Sequence, residues 1–428
     1  MAIAILVLSF VILLVLGVPI AWCIGLAATL TMLVNIPMLP ALTTVAQQMA
    51  AGLDSFGLLA IPFFILAGQL MNRGGIAQRL IAFARALVGG LPGGLAHVNI
   101  IAAMLFGAIA GSAVAAASAI GGTVGKAMEE EGYDREFSAA VNITSSTTGL
   151  IIPPSNILIV YSLASGGVSI AALFLAGYLP GLLVGLTLML VAAIIAKRKG
   201  YVNRGSFSLG EVGRTFVSAL PSLFLLVVVI GGIVGGLFTA TEASAVAVPY
   251  CLILGFLYKE LKVADLAGVV LEAVGVTAIV AILIATSISL SWIMAFEDIP
   301  QDITAFLLGL SDNPVIIMLV INFILLSVGV FMDMTPAVLI FTPIFLPVAV
   351  EIGLSPVHFG IVMILNLCIG LCTPPVGSVL FVGVGVAGTT IRKVVRPLLP
   401  FFVAMLVVLL IVTLVPGLST WLPSLFGF

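Results

Sequence analysis

The stretch that decides the fold is GLIIPPSN, Gly149 to Asn156, in the middle of an apolar segment without a charged residue. A related stretch, GLCTPPVG, runs from Gly370 to Gly377 and agrees with the first at four of eight positions. Two consecutive prolines remove backbone N–H donors and clash with the preceding turn, so neither segment can form one continuous helix. We therefore predict two helices that break inside an apolar environment, one in each half of the chain.

The composition places that environment in a lipid bilayer. Of 428 residues, 62% are hydrophobic and 7% are charged, whereas soluble domains carry about 25% charged residues. So few charges cannot cover a soluble protein of this size, and a net charge of −2 gives no footprint for nucleic acid. The composition excludes secreted, disordered and nucleic-acid-binding proteins and predicts an all-α membrane protein with several spans.

The basic residues suggest how the chain crosses the membrane. All 15 of them fall on the cytoplasmic side if two long apolar blocks, 95–125 and 314–349, enter and leave on one side. The first block has a small, flexible middle, and the second is flanked by acidic residues alone. We therefore predict about ten transmembrane crossings plus two re-entrant helical hairpins, with both termini outside.

The order of these elements repeats along the chain. Each broken helix, 137–165 and 359–390, follows a re-entrant block, and each block follows a short amphipathic stretch. Since the two hairpins open to opposite sides, we predict inverted repeats, an architecture of many secondary transporters. The expected division is N-terminal scaffold helices over 1–54, a first repeat over 55–200, connecting scaffold helices over 201–265 and a second repeat over 266–428.

A break at mid-membrane supplies binding groups. Carbonyls before the break lose their helical donors and suit Na⁺, while the N–H groups that open the next half-helix suit a carboxylate. We predict two Na⁺ sites, one in each repeat. The first comprises Gly111, Ser112, Gly149, Ile152 and Pro153, and the second comprises Gly329, Met332, Asp333, Gly370 and Thr373.

Polar side chains near the breaks and hairpin tips are the candidate substrate ligands. Polar residues inside spans are costly to bury and mark transport pathways. Asp333 could ligate a cation, bind a proton or hold the hairpin tip. No Lys or Arg is predicted at mid-membrane, so an anionic substrate requires co-bound cations. The predicted substrate ligands are Ser112, Ser145, Ser155, Asn156, Asp333, Thr335 and Ser378.

Other classes of function are less favoured by the motifs. The sequence contains no HExxH or GxSxG, and its two histidines, His97 and His358, lie far apart. We therefore expect that the protein is not an enzyme and holds no cofactor, and that Na⁺ is its coupling ion. A passive channel and a membrane-embedded enzyme are disfavoured, and a standalone Na⁺/divalent-anion symporter of similar architecture stays as the alternative transporter.

Several motifs together resemble the large membrane subunit of tripartite ATP-independent periplasmic (TRAP) transporters, over nearly the whole chain. Two motifs depart from the usual pattern: the first tip has AGS at 110–112 rather than SGS, and TATEA at 239–243 replaces TPTEA. The motifs are IPFFILAG at 61–68, MNRGG at 71–75, GGLPGG at 89–94, FGAIAGSA at 106–113, GYD at 132–134, IPPS at 152–155, FTATEA at 238–243, MDMTP at 332–336 and GLCTPP at 370–375.

The resemblance implies partners and a mechanism that composition does not. A periplasmic substrate-binding protein would deliver a small organic anion, such as a C4-dicarboxylate or sialic acid, in the bacterial inner membrane. A separate small four-helix membrane subunit would bind the scaffold, and Arg79 and Arg85 would lie in that interface. Hairpins and broken helices would move as one body in an elevator-type mechanism.

Overall fold

The structure is a computed structural model that describes residues 2–201 and 208–428, apart from the side chain of Ile109. The regular elements in this part of the chain are all helices. Arg204, one of the basic residues used to predict the topology, lies outside the described residues, as does part of the predicted linker. The all-α architecture predicted from composition is confirmed.

Seven helices from the start and middle of the chain are grouped as the scaffold helices. Of these, α4 and α15 come largely from segments that the predicted division assigns to the repeats, and that division stays a prediction. Two of the seven, α4 and α14, pack closely together, and the last, α15, packs on α2, α3 and α4. The third helix was not predicted, because its segment is too short and polar for a full span. The seven are α1 (Ala2–Val15), α2 (Ile20–Asn35), α3 (Met38–Leu53), α4 (Ala60–Arg73, after a 3₁₀ turn at Phe56–Leu59), α13 (Leu209–Val234), α14 (Ala240–Leu257) and α15 (Val263–Phe296).

The TATEA departure leaves the start of α14 intact. Thr239 Oγ1 accepts a hydrogen bond from the Glu242 N–H at 3.2 Å, and Glu242 Oε2 accepts one from the Thr239 N–H at 2.8 Å. This reciprocal capping box satisfies two N–H groups that have no partner inside the helix. A proline at position 240 is therefore not needed to begin the helix.

The remaining helices fall into two series. In the first, a single π-helical turn, Gly121–Gly125, joins α7 to α8. The first series is α5 (Ile76–Val88), α6 (Gly94–Ala110), α7 (Ala113–Ile120), α8 (Lys126–Glu130), α9 (Arg135–Ser146), α10 (Thr148–Ile151), α11 (Asn156–Ala164) and α12 (Ile170–Lys199). The second is α16 (Ile299–Leu310), α17 (Pro314–Gly329), α18 (Met334–Glu351), α19 (Pro356–Leu371), α20 (Ser378–Val386), α21 (Ile391–Leu414) and α22 (Gly417–Leu425).

The two series share a spacing of 221 residues. The starts of α7 and α18, of α9 and α19, and of α12 and α21 are each separated by this number. The broken helices touch at equivalent positions, where Cys368 Sγ donates to the carbonyl oxygen of Thr147, 221 residues earlier, at 3.5 Å. The helix order therefore repeats, while the inversion of one repeat across the membrane stays a prediction.

The breaks lie where the proline pairs predict them. The first broken helix, Arg135–Ile151 followed by Asn156–Ala164, is bent by 51°. The peptide bonds Pro153–Pro154 and Pro374–Pro375 are both cis. By length and hydropathy, seven helices of the described part could cross a membrane, or eight if the bent pair is one span. The predicted count of about ten crossings stays a prediction.

The first hairpin is α6 with α7 and the second is α17 with α18, and the broken helices are α9–α11 and α19–α20. Glycines hold each hairpin against its broken helix. A Cβ placed on Gly107 of α6 would lie 2.8 Å from the Cα of Gly149 in α10. A Cβ on Gly370 of α19 would lie 2.6–2.7 Å from the backbone of Gly329 in α17. These backbones approach as closely as glycine allows, in the manner of small-residue packing between membrane helices.

A polar cluster joins the loop before α9 to the end of α12. Lys199 donates to the carboxylate of Asp134, and the Asp134 N–H donates to Tyr201 Oη at 3.2 Å. The Tyr201 ring packs on Tyr133 at 4.3 Å between centroids. The ammonium of Lys199 lowers the pKa of Asp134, so on acidification the contact weakens as pH falls through that lowered value.

Candidate functional site

Polar side chains from both hairpin tips and both broken helices line one cavity. It has a volume of about 290 Å³ and lies between α4 and α15 on one side and the two hairpin tips and two breaks on the other. The scaffold wall is mostly apolar. Side chains with polar atoms in the lining are Gln69, Asn72, Ser112, Asn156, Asp333, Thr335 and Ser378.

The first hairpin tip is built on a glycine in the left-handed conformation. Gly111 has φ +60°, and a Cβ there would lie 2.9 Å from Asn156 Nδ2. Ser112 follows as the N-cap of α7, and its Oγ accepts a hydrogen bond from the Ala115 N–H at 3.2 Å. Glycine therefore lets the tip turn and lets Asn156 of the broken helix reach it.

The second tip presents a carboxylate at the equivalent place. Asp333 precedes α18 and stands 221 residues after Ser112. Ser378 Oγ, at the start of α20, donates to Asp333 Oδ1 at 3.2 Å. The Asp333 side chain is exposed, and Thr335 lies beside it in the cavity wall. Each half of the cavity thus pairs a hairpin tip with the half-helix that follows a break.

Four helices begin at this cavity. The first residues of α7, α11, α18 and α20, or the residues just before them, all belong to its lining. A helix N-terminus carries unpaired N–H groups and about half a positive charge. Asp333 is the one acidic side chain that the described residues contribute to the lining, so the cavity offers positive helix ends for an anion and a carboxylate for a cation.

Most of the predicted first Na⁺ site lies outside the cavity lining. Gly111 and Ser112 line the cavity. Gly149 packs on Gly107, Pro153 Cδ would lie 3.5 Å from a Cβ on Gly177, and Ile152 contacts the position of Gly181.

The predicted second Na⁺ site is likewise divided. Asp333 lines the cavity, whereas Gly329 and Gly370 pack on each other. The Met332 N–H donates to the Val328 carbonyl oxygen at 3.0 Å. Thr373 donates through Oγ1 to the Ile369 carbonyl oxygen at 2.7 Å and through its N–H to that of Gly370 at 2.9 Å. Both Na⁺ sites stay predictions.

Two predicted substrate ligands have other partners. Ser155 Oγ donates at 2.6 Å to the carbonyl oxygen of Leu150, whose helical donor is missing because position 154 is proline. Ser145 is fully buried and donates to Asn99 Oδ1 at 3.0 Å, which ties α9 to α6. Neither serine lines the cavity. Their side chains thus complete the break and the hairpin contact.

The second repeat has a matching contact between hairpin and broken helix. Asn366, 221 residues after Ser145, donates to Asn322 Oδ1 at 2.9 Å, and both are buried. Asn322 in turn donates to Thr413 Oγ1 of α21 at 3.0 Å. In both repeats, a buried polar contact therefore links the first helix of the hairpin to the broken helix.

Sequence reasoning missed two polar residues of the cavity, Gln69 and Asn72. They lie three residues apart on α4 and thus on one helix face. An amide pair at this spacing at the end of an apolar helix was the signal that could have found them.

The two arginines predicted to contact a partner have contacts within the chain. The Arg79 guanidinium lies over the Tyr258 ring, 3.4 Å from its centroid. Arg85 is exposed and pairs with Glu131 at 3.3 Å. Phe83 of the same helix packs on Phe216 of α13. The contribution of either arginine to an intermolecular interface stays a prediction.

Cation binding by clustered acidic or sulfur ligands is not supported by side-chain positions. Within the described ranges, no three His, Cys, Asp or Glu side chains come close enough to hold a metal ion. A cation in the cavity would therefore rely on carbonyl and hydroxyl oxygens together with Asp333.

A helical membrane protein with two hairpin tips and two broken helices around one polar cavity has the architecture of a secondary transporter. The family model "Tripartite ATP-independent periplasmic transporter, DctM component" matches residues 7–418. The chain belongs to this family of large TRAP permease subunits, as its motifs indicated.

Relatives are similar over nearly their whole length. An uncharacterized protein of Salmonella typhimurium, YgiK, is 54% identical, covering 98% of this chain and 96% of its own. The sialic acid TRAP transporter large permease protein SiaM of Vibrio cholerae is 41% identical, covering 89% of both chains. The C4-dicarboxylate TRAP transporter large permease protein DctM of Pseudomonas aeruginosa is 40% identical, covering 94% of both.

A solved structure shares the fold at low sequence identity. The YdaH transporter of Alcanivorax borkumensis aligns with a TM-score of 0.57 and 14% identity over 90% of each chain. At this identity the likeness concerns the fold alone.

Proposed function

We propose that this chain is the transport subunit of a Na⁺-coupled TRAP transporter that imports a small organic acid across the bacterial inner membrane. The observation that carries the proposal is the convergence of four helix N-termini and Asp333 on one cavity. The carboxylate of an organic acid would bind the helix ends with Ser112 and Asn156. A cation would bind beside Asp333.

The charge balance of the cavity supports cation coupling. Among the residues that the structure describes, no Lys or Arg belongs to its lining. Helix ends offer partial charges only, so a carboxylate taken from water needs a further positive charge nearby. Na⁺ bound by carbonyl oxygens, Ser112 or Asp333 would supply that charge, and the substrate would in turn raise the affinity for Na⁺. This reciprocity makes co-transport the expected outcome.

The contacts favour an elevator-type movement. Each hairpin is fixed to its broken helix by glycine packing and by a buried hydrogen bond, so the two would move together. The facing scaffold wall is largely apolar: α4 contributes Ile61 and Ile65, and α15 contributes Ile279 and Leu283. Such a wall holds the moving part without directional bonds, which suits sliding.

Partners and substrate class follow from the family. We expect a small four-helix membrane subunit on the scaffold and a periplasmic substrate-binding protein on the outer face. Relatives of 41% and 40% identity carry names with different acids, sialic acid and C4-dicarboxylate. Overall similarity therefore does not select between them, and the receptor would set much of the specificity.

Reconstitution tests the proposal. The chain would be placed in liposomes with its small subunit, and uptake of succinate and of N-acetylneuraminate would be measured with the receptor present. We expect uptake to require both an inward Na⁺ gradient and the receptor. Uptake by this chain alone would favour the standalone symporter. Uptake driven by a proton gradient without Na⁺ would contradict Na⁺ coupling.

A further inference from the structure

Two amide side chains face the tips and breaks from the scaffold side of the cavity. Gln69 and Asn72 line the cavity together with Ile61 and Ile65, so all four lie on one face of α4. Within residues 2–201 and 208–428, neither amide side chain has a hydrogen-bond partner. Donors and acceptors without protein partners, set in a cavity wall, are available to a ligand.

In the proposed elevator movement, these amides belong to a different body from the other polar residues. Their helix, α4, packs on α14 and α15, and Arg73 forms an ion pair with Glu272 of α15. Ser112, Asn156, Asp333 and Ser378 belong to the hairpins and broken helices instead. A substrate in this cavity would therefore contact both the scaffold and the part that moves.

The amides lie closer to the end of α4 than the two isoleucines do. Ile61 and Ile65, nearer the start of α4, are 2% and 8% exposed, whereas Asn72 is exposed. The next residue is Arg73, which the positive-inside rule places at the cytoplasmic surface. In this orientation the amides lie on the cytoplasmic side of Ile61 and Ile65, where a substrate on its way to the cytoplasm would pass them.

We propose that Gln69 and Asn72 bind the substrate only in the inward-facing state, and that they set the affinity with which the substrate is held before its release into the cytoplasm. This inference rests on the proposed transport function. The amides contribute N–H donors to the substrate carboxylate after the tips have moved inward. When the tips move outward, the substrate would leave α4 behind and lose these contacts.

The experiment separates affinity on the two sides of the membrane. In proteoliposomes with the small subunit and external receptor, labelled succinate or N-acetylneuraminate uptake is measured at varied external concentration. Uptake is then measured again while the concentration of the unlabelled probe inside the proteoliposomes is varied. For Gln69→Ala/Asn72→Ala, we expect the internal half-inhibitory concentration to rise about tenfold and the external half-saturation to stay within about twofold.

A matched control removes two amides elsewhere on the scaffold. Gln47 and Gln48 of α3 are absent from the cavity lining, so Gln47→Ala/Gln48→Ala should change neither constant. If the double variant of α4 does not fold, Asn72→Ala alone carries the test, because Asn72 is exposed.

Two results would overturn the inference. Equal changes in both constants would make the amides ligands of both states, and no change in either would show that they do not bind the substrate. If the wild-type complex transports neither probe, the proposed function fails and not merely this assignment.

Discussion

Gly370→Ala should prevent the second hairpin from packing on its broken helix. The new methyl group would lie 2.6–2.7 Å from the backbone C, Cα and O of Gly329, which cannot move aside like a side chain. Overpacking a core costs about 1–3 kcal/mol where side chains yield, and we expect at least the upper value here. Loss of the monodisperse peak in size-exclusion chromatography, or a melting temperature lower by several degrees, would show it.

The control for this substitution lies in the next half-helix. A Cβ on Gly385 of α20 would have no heavy atom within 4 Å, so Gly385→Ala should be tolerated. Alanine favours a helix by about 1 kcal/mol over glycine, so this variant should be as stable as the parent or more so. Equal behaviour of the two variants would contradict the close backbone contact.

Asp333→Asn should abolish most Na⁺-dependent uptake while the protein stays folded. Asparagine keeps the shape and an oxygen that can accept from Ser378, but it removes the negative charge that Asp333 contributes to the cavity lining. Hydrogen bonds and contacts to charged groups contribute about 1.5–3 kcal/mol, so we expect a loss of up to about 100-fold at limiting Na⁺. The measurement is the initial uptake rate across a Na⁺ titration.

A second variant separates charge from position. Ser378→Ala removes the hydrogen bond to Asp333 and keeps the carboxylate, so it should cost only about fivefold. If Asp333→Asn leaves the Na⁺ response unchanged while Ser378→Ala impairs folding, Asp333 would hold the tip and not a cation. If Asp333→Asn changes the pH dependence of uptake and not its Na⁺ dependence, the residue would be a proton carrier.

The proline pairs made the two helix breaks predictable from the sequence. A pair such as Pro153 and Pro154 breaks a helix whatever its neighbours are, so both breaks were readable from sequence. The hairpin tips followed from charge placement and small residues. Helix α3 was missed because this half-polar scaffold helix has neither the length nor the hydropathy of a span.

Site residues were harder to predict, because hydroxyl groups choose their partners in three dimensions. Ser112 and Ser378 reach the cavity, whereas Ser155 bonds to a carbonyl that its own break exposes. Ser145 bonds to Asn99, 46 residues away, and nothing local in the sequence indicates that contact. Gln69 could not be predicted from the breaks, because it lies on α4, far in sequence from both proline pairs.

The most direct test asks whether the organic acid and Na⁺ occupy this cavity. Thr335→Cys would place a thiol in its lining, and the four native cysteines are buried and should not compete. The measurement is the rate of maleimide labelling of the purified complex, with Na⁺ and succinate or N-acetylneuraminate, against K⁺ at equal ionic strength. Thr43→Cys, exposed on α3, is the control.

We predict that Na⁺ together with the transported acid slows labelling at position 335 by about tenfold at ten times the dissociation constant. Labelling at position 43 should not change. Equal labelling at position 335 in every condition, with a complex that still transports, would contradict binding in this cavity.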